Sequence, residues 1–378
     1  LFLARVDKLL DLGALDPALA LLELLDHPTP EPFRRWFDIS LLLGQEDRAC
    51  EVMAKTPEIA PTFPARIFCL ARGGDWNAAA LSLRTGQTLG TIDPKMGDLL
   101  SRFLDPELYE DEEDLPLPAR PTPLVLRMME AIGQPMPTAT LPVAFAQADL
   151  RSNSGWKSRI EAGERLARMG AIPPNRLLGL YTEQKAAASG GVWERVKALQ
   201  AIDNAILSGK SDEISKALPP AWDLMVSMEL EVPFAKLFGP RLAAAGLKGS
   251  DAALAFRIGL LSDDYEKVAL AHTPADSTEA FLIGLARGEV AGTRAPDQMG
   301  VAVQSAFELD ARPDDDLMFL MDNHKVGEAL LRAMEKVTGG ASGDLRDVTD
   351  GIVLLRKAGL ENTARRAGLE LLLLERRG

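Results

Sequence analysis

The N-terminal third of the chain repeats one local pattern three times. An apolar helical stretch, a glycine-containing break, an acidic or capping residue and a second stretch with alanine occur at 9–18, 41–49 and 69–78. The glycines of these breaks lie 31 and then 29 to 30 residues apart. Helix-turn-helix units of about this period bury their apolar faces by stacking on their neighbours. The pattern therefore predicts a helical-hairpin repeat.

Composition extends this prediction to the whole chain. Of 378 residues, 47% are apolar, which is enough for a continuous core, while only 6% are aromatic. A mixture dominated by alanine and leucine suits helix packing better than β-sheet surfaces, and no sustained alternation of period two occurs. Later helix stops, at Gly170, Gly246, Gly288 and Gly359, are irregularly spaced. We expect an all-α, helical-hairpin repeat superhelix (α-solenoid) with irregular repeats.

Side-chain chemistry predicts where individual helices begin and end. Asp16, Asp47 and Asp75 are expected to cap helix N-termini, since a short carboxylate accepts hydrogen bonds from the first free amide groups. Glycine after a last turn that carries alanine, arginine or lysine, as at Gly288, is the expected C-terminal cap. The proline-rich segments His27–Pro32 and Pro57–Pro64 are expected to separate hairpins.

A change in composition marks one candidate boundary. Five consecutive acidic residues at 110–114 run into a proline-rich segment at 115–123, and both features favour an extended, solvated chain. We predict an N-terminal repeat region at 1–108, a connection at 109–139 that contains one short helix, and a C-terminal repeat region at 140–378. The acidic run is interpreted as a linker, with a docking strip for a basic partner as the alternative.

Charge and hydropathy limit the classes of partner. The net charge is −13 and the isoelectric point is near 4.9, which argues against nucleic acid as a partner. No apolar run approaches the about 18 to 20 residues that a membrane-spanning helix needs. The chain begins at Leu1 rather than at Met, which fits either an artificial boundary or the mature form of an exported precursor.

The chain contains only two cysteines and three histidines. Cys50 and Cys69 flank the break at 57–64 at similar distances, so a disulfide between them is geometrically possible, and two buried thiols are the alternative. His27, His272 and His324 are too dispersed to form a zinc site with them. No metal or other cofactor is expected.

The segment 175–196 is the least routine stretch. Tyr181 and Trp193 flank a small-residue turn, Ser189-Gly190-Gly191, and Glu183 lies between them. A turn that opens a helix can present amide groups to an anion, but the segment has neither a Walker A nor a dinucleotide-binding pattern. We predict that Tyr181, Glu183 and Trp193 contribute to a partner-binding surface, with an ordinary helix connection and inward-packed aromatic rings as the alternative.

Other conspicuous residues favour structural interpretations. Four tryptophans near predicted helix starts or turns are expected to fill gaps between helices: Trp36, Trp76, Trp156 and Trp222. The run Asp314–Asp316 is expected to cap a helix that begins near Leu317, since it lacks the pattern of a calcium loop. The leucine-rich C-terminal helix, predicted at 363–377, is expected to be clamped between neighbouring helices.

The glycine breaks at Gly13, Gly44 and Gly73 make the N-terminal third resemble tetratricopeptide-like α-solenoids, although the full 34-residue pattern of that family is absent. The resemblance implies a concave surface that binds peptides or proteins. The whole chain also resembles long helical envelope proteins of alphaproteobacteria and the superhelical scaffold of soluble lytic transglycosylases. The catalytic module of the latter carries a Glu-Ser pair, which this sequence lacks, so no catalytic residue is carried over.

Two functional hypotheses follow. The first is a non-catalytic helical-repeat scaffold that binds a protein or peptide partner in the bacterial cell envelope, with a periplasmic location favoured over a cytoplasmic one. The second is a peptidoglycan-associated enzyme accessory or cryptic hydrolase, with its site around Tyr181, Glu183 and Trp193. A groove lined by successive hairpins supports the first, and a deep pocket around a desolvated carboxylate supports the second. No catalytic motif is present, and we favour the scaffold.

Overall fold

The computed structural model describes residues 1–25, 29–186 and 188–374, and this part of the chain is all-α, as predicted. It contains 22 α-helices and three short 3₁₀ helices and no strand within the described ranges. The chain divides into two compact units, Leu1–Leu180 and Tyr181–Gly378, which are named unit 1 and unit 2.

Unit 1 contains ten complete α-helices among its described residues and most of an eleventh. They are α1 (Phe2–Asp11), α2 (Leu15–Leu22), α3 (Pro30–Leu43), α4 (Glu46–Lys55), α5 (Phe63–Arg72), α6 (Trp76–Thr88), α7 (Pro94–Leu104), α8 (Pro123–Ala131), α9 (Ala146–Asp149), α10 (Trp156–Arg168) and α11 (Pro174–Thr182). The 3₁₀ helices lie at Pro57–Ile59, Pro106–Tyr109 and Val143–Phe145.

The described helices of unit 2 are α12 (Val192–Ser208), α13 (Ser211–Ser227), α14 (Glu231–Ala243), α15 (Gly249–Leu260), α16 (Tyr265–Ala271), α17 (Ser277–Arg287), α18 (Gln298–Ala306), α19 (Asp315–Asp322), α20 (Val326–Gly340), α21 (Leu345–Lys357) and α22 (Glu361–Leu373).

Sequential helices pack as neighbouring pairs in both units, which is the arrangement of a helical-repeat protein. In unit 1, α3 also contacts α8 and α9, and in unit 2, α22 contacts α17 and α18. The repeats are therefore irregular, as predicted. The core of unit 1 is built mainly of leucine and alanine with isoleucine, phenylalanine and methionine, and that of unit 2 mainly of leucine, valine, alanine and phenylalanine. Their burial is the main source of stability for such helices.

The predictions of helix caps are partly confirmed. Asp75 accepts a hydrogen bond from the amide of Ala78 (3.0 Å), and Gly288 ends α17 in the left-handed conformation. The predictions for Asp16 and Asp47 are wrong, because α2 begins at Leu15 and α4 at Glu46. Both carboxylates lie inside the first turn, where negative charge suits the positive end of the helix dipole.

The predicted connection at 109–139 lies within unit 1. Its acidic run, 110–114, is exposed, but the main chain is tied down: Arg102 donates to the carbonyl of Glu113 (2.8 Å). The short helix predicted here is present as α8, and it buries Leu124, Leu126, Met128 and Met129 in the core of unit 1. The division between the two units therefore does not coincide with this segment.

Cys50 on α4 and Cys69 on α5 form a disulfide across a Cα–Cα distance of 4.9 Å. Of the two alternatives open in the sequence, the structure thus contains the bridge. The proline-rich break predicted at His27–Pro32 is described only from Thr29, and its residues 27 and 28 lie outside the described part.

At the C-terminus, α22 packs against α17, α18 and α21, as expected for a clamped helix. The predicted end of this helix at Arg377 lies outside the described residues, and within them α22 ends at Leu373.

Candidate functional site

The residues predicted to form a partner-binding surface occupy different environments. Tyr181 is fully buried at the end of α11, Glu183 is exposed, and Trp193 is half-buried in the first turn of α12. The structure therefore places Tyr181 beneath the surface, where its ring has no area to offer a partner. Gly191 precedes α12 with φ +56°, and Ala187 of the same connection lies outside the described residues.

Glu183 alone of these three lines a shallow depression in unit 2. The cavity has a volume of 320 Å³, and Gln200 and Asp203 of α12 form its other wall. The side-chain amide of Gln200 donates to the carbonyls of Tyr181 (2.8 Å) and Gln184 (2.7 Å). This amide therefore binds main-chain carbonyls at the C-terminal end of α11, so Gln200 has a structural role.

A larger cavity lies in unit 1. It has a volume of 680 Å³ and is lined by α8, the loop 133–139, α9, the turn that follows α9, and α10. We name it the α8–α10 cleft. Its volume falls in the range of about 300 to 1,000 Å³ that is usual for ligand-binding clefts. Apolar wall residues such as Leu126 and Met136 alternate with charged ones.

One wall of the cleft is organised around the carboxylate of Glu130 on α8. Arg151 donates to Glu130 Oε2 (2.6 Å), Arg127 donates to the same atom (3.0 Å), and Asn153 donates to Oε1. Burial acts to raise the pKa of Glu130, but Arg151, Asn153 and Arg127 together outweigh it and hold the pKa below its usual value. Glu130 is therefore a fixed, fully compensated anion.

The network continues from the cleft into the core of unit 1. Arg127 also donates from Nε to Oε1 of Glu46 (3.0 Å), which is almost completely buried on α4. Arg72 of α5 lies 3.6 Å from the same oxygen. Since charged side chains fix the distance between the groups that they join, this network holds α8, and with it the wall of the cleft, against α4 and α5.

The lining of the cleft also contains Asp149, at the end of α9. Its Oδ2 accepts a hydrogen bond from the hydroxyl of Thr138. Desolvation raises the pKa of Asp149 above its ordinary value, against the smaller effects of Thr138 and of the charges of Arg151 and Arg165. Asp149 is thus the desolvated carboxylate of this cleft.

Arg165 on α10 fixes the loop that forms the rim of the cleft. Its two terminal nitrogens donate to the carbonyls of Thr138 (2.9 Å) and Leu141 (2.7 Å). The buried amide of Gln147 on α9 donates to the carbonyl of Gly13 (2.8 Å), which joins α9 to the α1–α2 turn. The rim of the cleft and α9 are therefore held in place by bonds within the protein.

A second cavity adjoins the first at Gly133. It has a volume of 530 Å³ and is lined by the acidic segment that follows α7, including Glu107, Glu110 and Asp114. Arg102 is the basic residue in its lining, and it pairs with Glu112 (3.1 Å). We name this space the acidic cavity.

Sequence reasoning missed the α8–α10 cleft and its principal residues, Glu130, Asp149, Arg151 and Arg165. They come from four local segments whose meeting depends on how α8, α9 and α10 pack. The only available signal was the predicted short helix between two proline-rich stretches, a segment that we interpreted as a connection.

The remaining candidates have structural roles. Asp314 accepts from the amide of Leu317 (2.8 Å) and caps α19, which begins at Asp315, so the capping prediction is confirmed. Trp222 packs against Phe234 with ring centroids 5.7 Å apart. Trp76 departs from the expectation of gap-filling, because 52% of its surface is exposed.

Comparison with known proteins identifies no relative: no family model, curated protein or solved structure matches the chain. In the parts of the chain that the structure describes, no helix is both long enough and apolar enough to span a bilayer.

Proposed function

We propose that this chain is a non-catalytic helical-repeat scaffold that binds an extended segment of a protein partner, with the α8–α10 cleft as its binding site. The observation that carries the proposal is the cleft itself. It is open, it is lined by consecutive elements of a helical stack, and its polar groups are fixed by bonds to the scaffold. Because these groups are already fixed, little binding free energy is lost in ordering the site.

The proposal includes the bacterial cell envelope, with a periplasmic location. The disulfide between Cys50 and Cys69 supports an oxidising compartment, because thiols in the bacterial cytosol are kept reduced. The resemblance to helical envelope proteins points to the same setting.

The enzyme alternative has its site around Tyr181, Glu183 and Trp193, and a deep pocket around a desolvated carboxylate would support it. Asp149 of the α8–α10 cleft is desolvated, but it is only half-buried, lies in an open cleft and does not belong to that site. Glu183 is exposed and Tyr181 is buried, an arrangement that offers this chemistry no enclosed acid. We therefore keep the scaffold hypothesis. Glu183 and Trp193 stay predicted contacts on unit 2, to be tested with the folded variants Glu183→Ala and Trp193→Ala.

The cleft can be tested by selecting short random peptides, displayed on phage, against the full chain. Ser158 is an exposed residue of α10 in the cleft lining, so Ser158→Trp fills the cleft without disturbing the core. Ser342→Trp, an exposed site in unit 2, is the matched control. We expect enriched peptides that bind the wild type and Ser342→Trp but not Ser158→Trp, with all three proteins equally stable to heat. A selection without enrichment, or peptides that bind Ser158→Trp normally, would overturn the proposal.

A further inference from the structure

The charged groups of the α8–α10 cleft are unequally engaged. The guanidinium group of Arg165 is bound to two main-chain carbonyls. That of Arg151 donates to the carbonyl of Ala148 (2.8 Å) and to Glu130 (2.6 Å). Both cations of the lining are therefore held by acceptors of the protein and are poorly placed to recruit an anion.

Asp149 differs from these charged groups, because no oppositely charged group in the described part of the chain is bound to it. Within the described residues it forms no ion pair, and the group that it does bind, the hydroxyl of Thr138, is neutral. Desolvation raises its pKa, which is the mark of a carboxylate whose loss of water is incompletely compensated. Arg151 and Arg165 lie near enough for their charges to act on Asp149, but neither forms an ion pair with it. A half-buried carboxylate in this position, facing an open cleft, gains from a ligand that brings a cation into direct contact.

The charged residues around the cleft also favour a positively charged ligand. Together, the linings of the α8–α10 cleft and the adjoining acidic cavity contain seven carboxylates and three guanidinium groups. The third guanidinium, that of Arg102, is engaged by Glu112 and by the carbonyl of Glu113. A chain that runs from one cavity to the other past Gly133 therefore crosses a surface of net negative charge, which attracts basic segments and repels acidic ones.

We propose that the α8–α10 cleft binds an extended peptide segment that contains lysine or arginine, and that this cationic side chain lies beside Asp149. The inference rests on the proposed function and specifies the chemistry of its partner. The remaining length of the segment lies along the acidic cavity, where Glu107, Glu110 and Asp114 offer further carboxylates to basic residues.

The test uses the phage-selected peptides as synthetic, fluorescein-labelled probes and fluorescence anisotropy as the readout. Asp149→Asn removes the charge and keeps an oxygen that accepts from Thr138, so we expect it to fold normally. Asp98→Asn, an exposed residue of α7 outside both linings, makes the same change in net charge and is the control. A charged hydrogen bond contributes about 1.5 to 3 kcal/mol, so Asp149→Asn should weaken binding by about tenfold to a hundredfold.

Two further measurements make the assignment specific. Replacing the basic residue of the peptide by glutamine should weaken binding to the wild type, and should weaken binding to Asp149→Asn much less, since the two changes remove the same interaction. Added salt should weaken wild-type binding more than binding to Asp149→Asn.

The possible outcomes distinguish failure of the cationic assignment from failure of the proposed function. Selected peptides without basic residues, or a folded Asp149→Asn protein that binds as tightly as Asp98→Asn, would overturn the cationic assignment while the proposed function stands. Failure to select any peptide that depends on the cleft would overturn the proposed function and the assignment with it.

Discussion

The contact among α4, α5 and α8 in unit 1 and the contact between α20 and α21 in unit 2 differ in what lies between the helices. In unit 1 the gap is spanned by long charged side chains: Glu46 is buried between Arg127 and Arg72, and its Oε2 lies buried without a hydrogen bond. In unit 2 the helices touch at glycine. A methyl group placed on Gly351 would lie 2.6 Å from the carbonyl oxygen of Ala333.

The charged groups at the two contacts also differ in how far they are buried. Beside α20 and α21, the ammonium group of Lys336 lies 2.7, 2.6 and 3.3 Å from carboxylate oxygens of Asp314, Asp347 and Asp350, at a site that solvent reaches. In unit 1 the carboxylate of Glu46 is almost completely buried, whereas its two arginine partners stay partly exposed. Long side chains keep helices apart and leave space that can become a cleft, whereas glycine brings two backbones together and leaves none. The position of the α8–α10 cleft, beside the charged contact, agrees with this difference.

The largest expected effect comes from removing the closest cationic partner of the buried Glu46. Arg127→Met leaves Glu46 buried with only the longer contact to Arg72, so unfolding in urea should show a loss of about 3 to 5 kcal/mol. Arg332→Met breaks the exposed pair with Glu328 in unit 2 and should cost less than about 1 kcal/mol. Equal costs for the two variants would show that burial does not distinguish the contacts.

The second prediction tests whether charge inside unit 1 is costly when it has no close partner. Asp38 on α3 forms no ion pair among the described residues, and desolvation raises its pKa to about 6, with Arg34 and Arg35 acting in the opposite direction. Since the pKa in the folded state exceeds the ordinary value of about 3.9, the folded protein holds this proton more tightly. The contribution of Asp38 is therefore most favourable below the ordinary pKa and is lost as the pH rises through about 6.

Asp38→Asn should consequently stabilise the protein by about 2 to 3 kcal/mol at about pH 8, since one pKa unit corresponds to about 1.4 kcal/mol. The gain should disappear in acid, where both side chains are neutral. Urea unfolding across this pH range measures the gain, and Asp98→Asn, at an exposed position of α7, is the control. A gain that does not change with pH would assign the effect to packing instead of charge.

Much of the fold could be predicted because its signals are local. Alanine and leucine composition, the glycine stops and the caps at Asp75 and Asp314 each depend on a few adjacent residues. The boundary between units, the partners of Glu46 and the position of Asp149 depend on which helices meet, and no local pattern encodes that. The glycine contact was missed for a related reason, since a glycine inside a helix, such as Gly351, reveals its role only when its neighbour is known.

The smallest expected effect concerns the glycine contact in unit 2. Gly351→Ala would place a methyl group 2.6 Å from both the carbonyl oxygen of Ala333 and a methyl carbon of Val337, and the backbone oxygen cannot turn aside as a side chain can. We expect a net loss of about 1 to 3 kcal/mol in urea unfolding, because overpacking outweighs the helix propensity of alanine. Gly339→Ala is the matched control: Gly339 is an exposed residue of α20 with open space where the methyl group would lie, so the change should stabilise by about 0.5 to 1 kcal/mol. If Gly351→Ala stabilised the protein as much as Gly339→Ala, α20 and α21 would have room to separate, and the contrast between a glycine contact in unit 2 and a charged contact in unit 1 would fail.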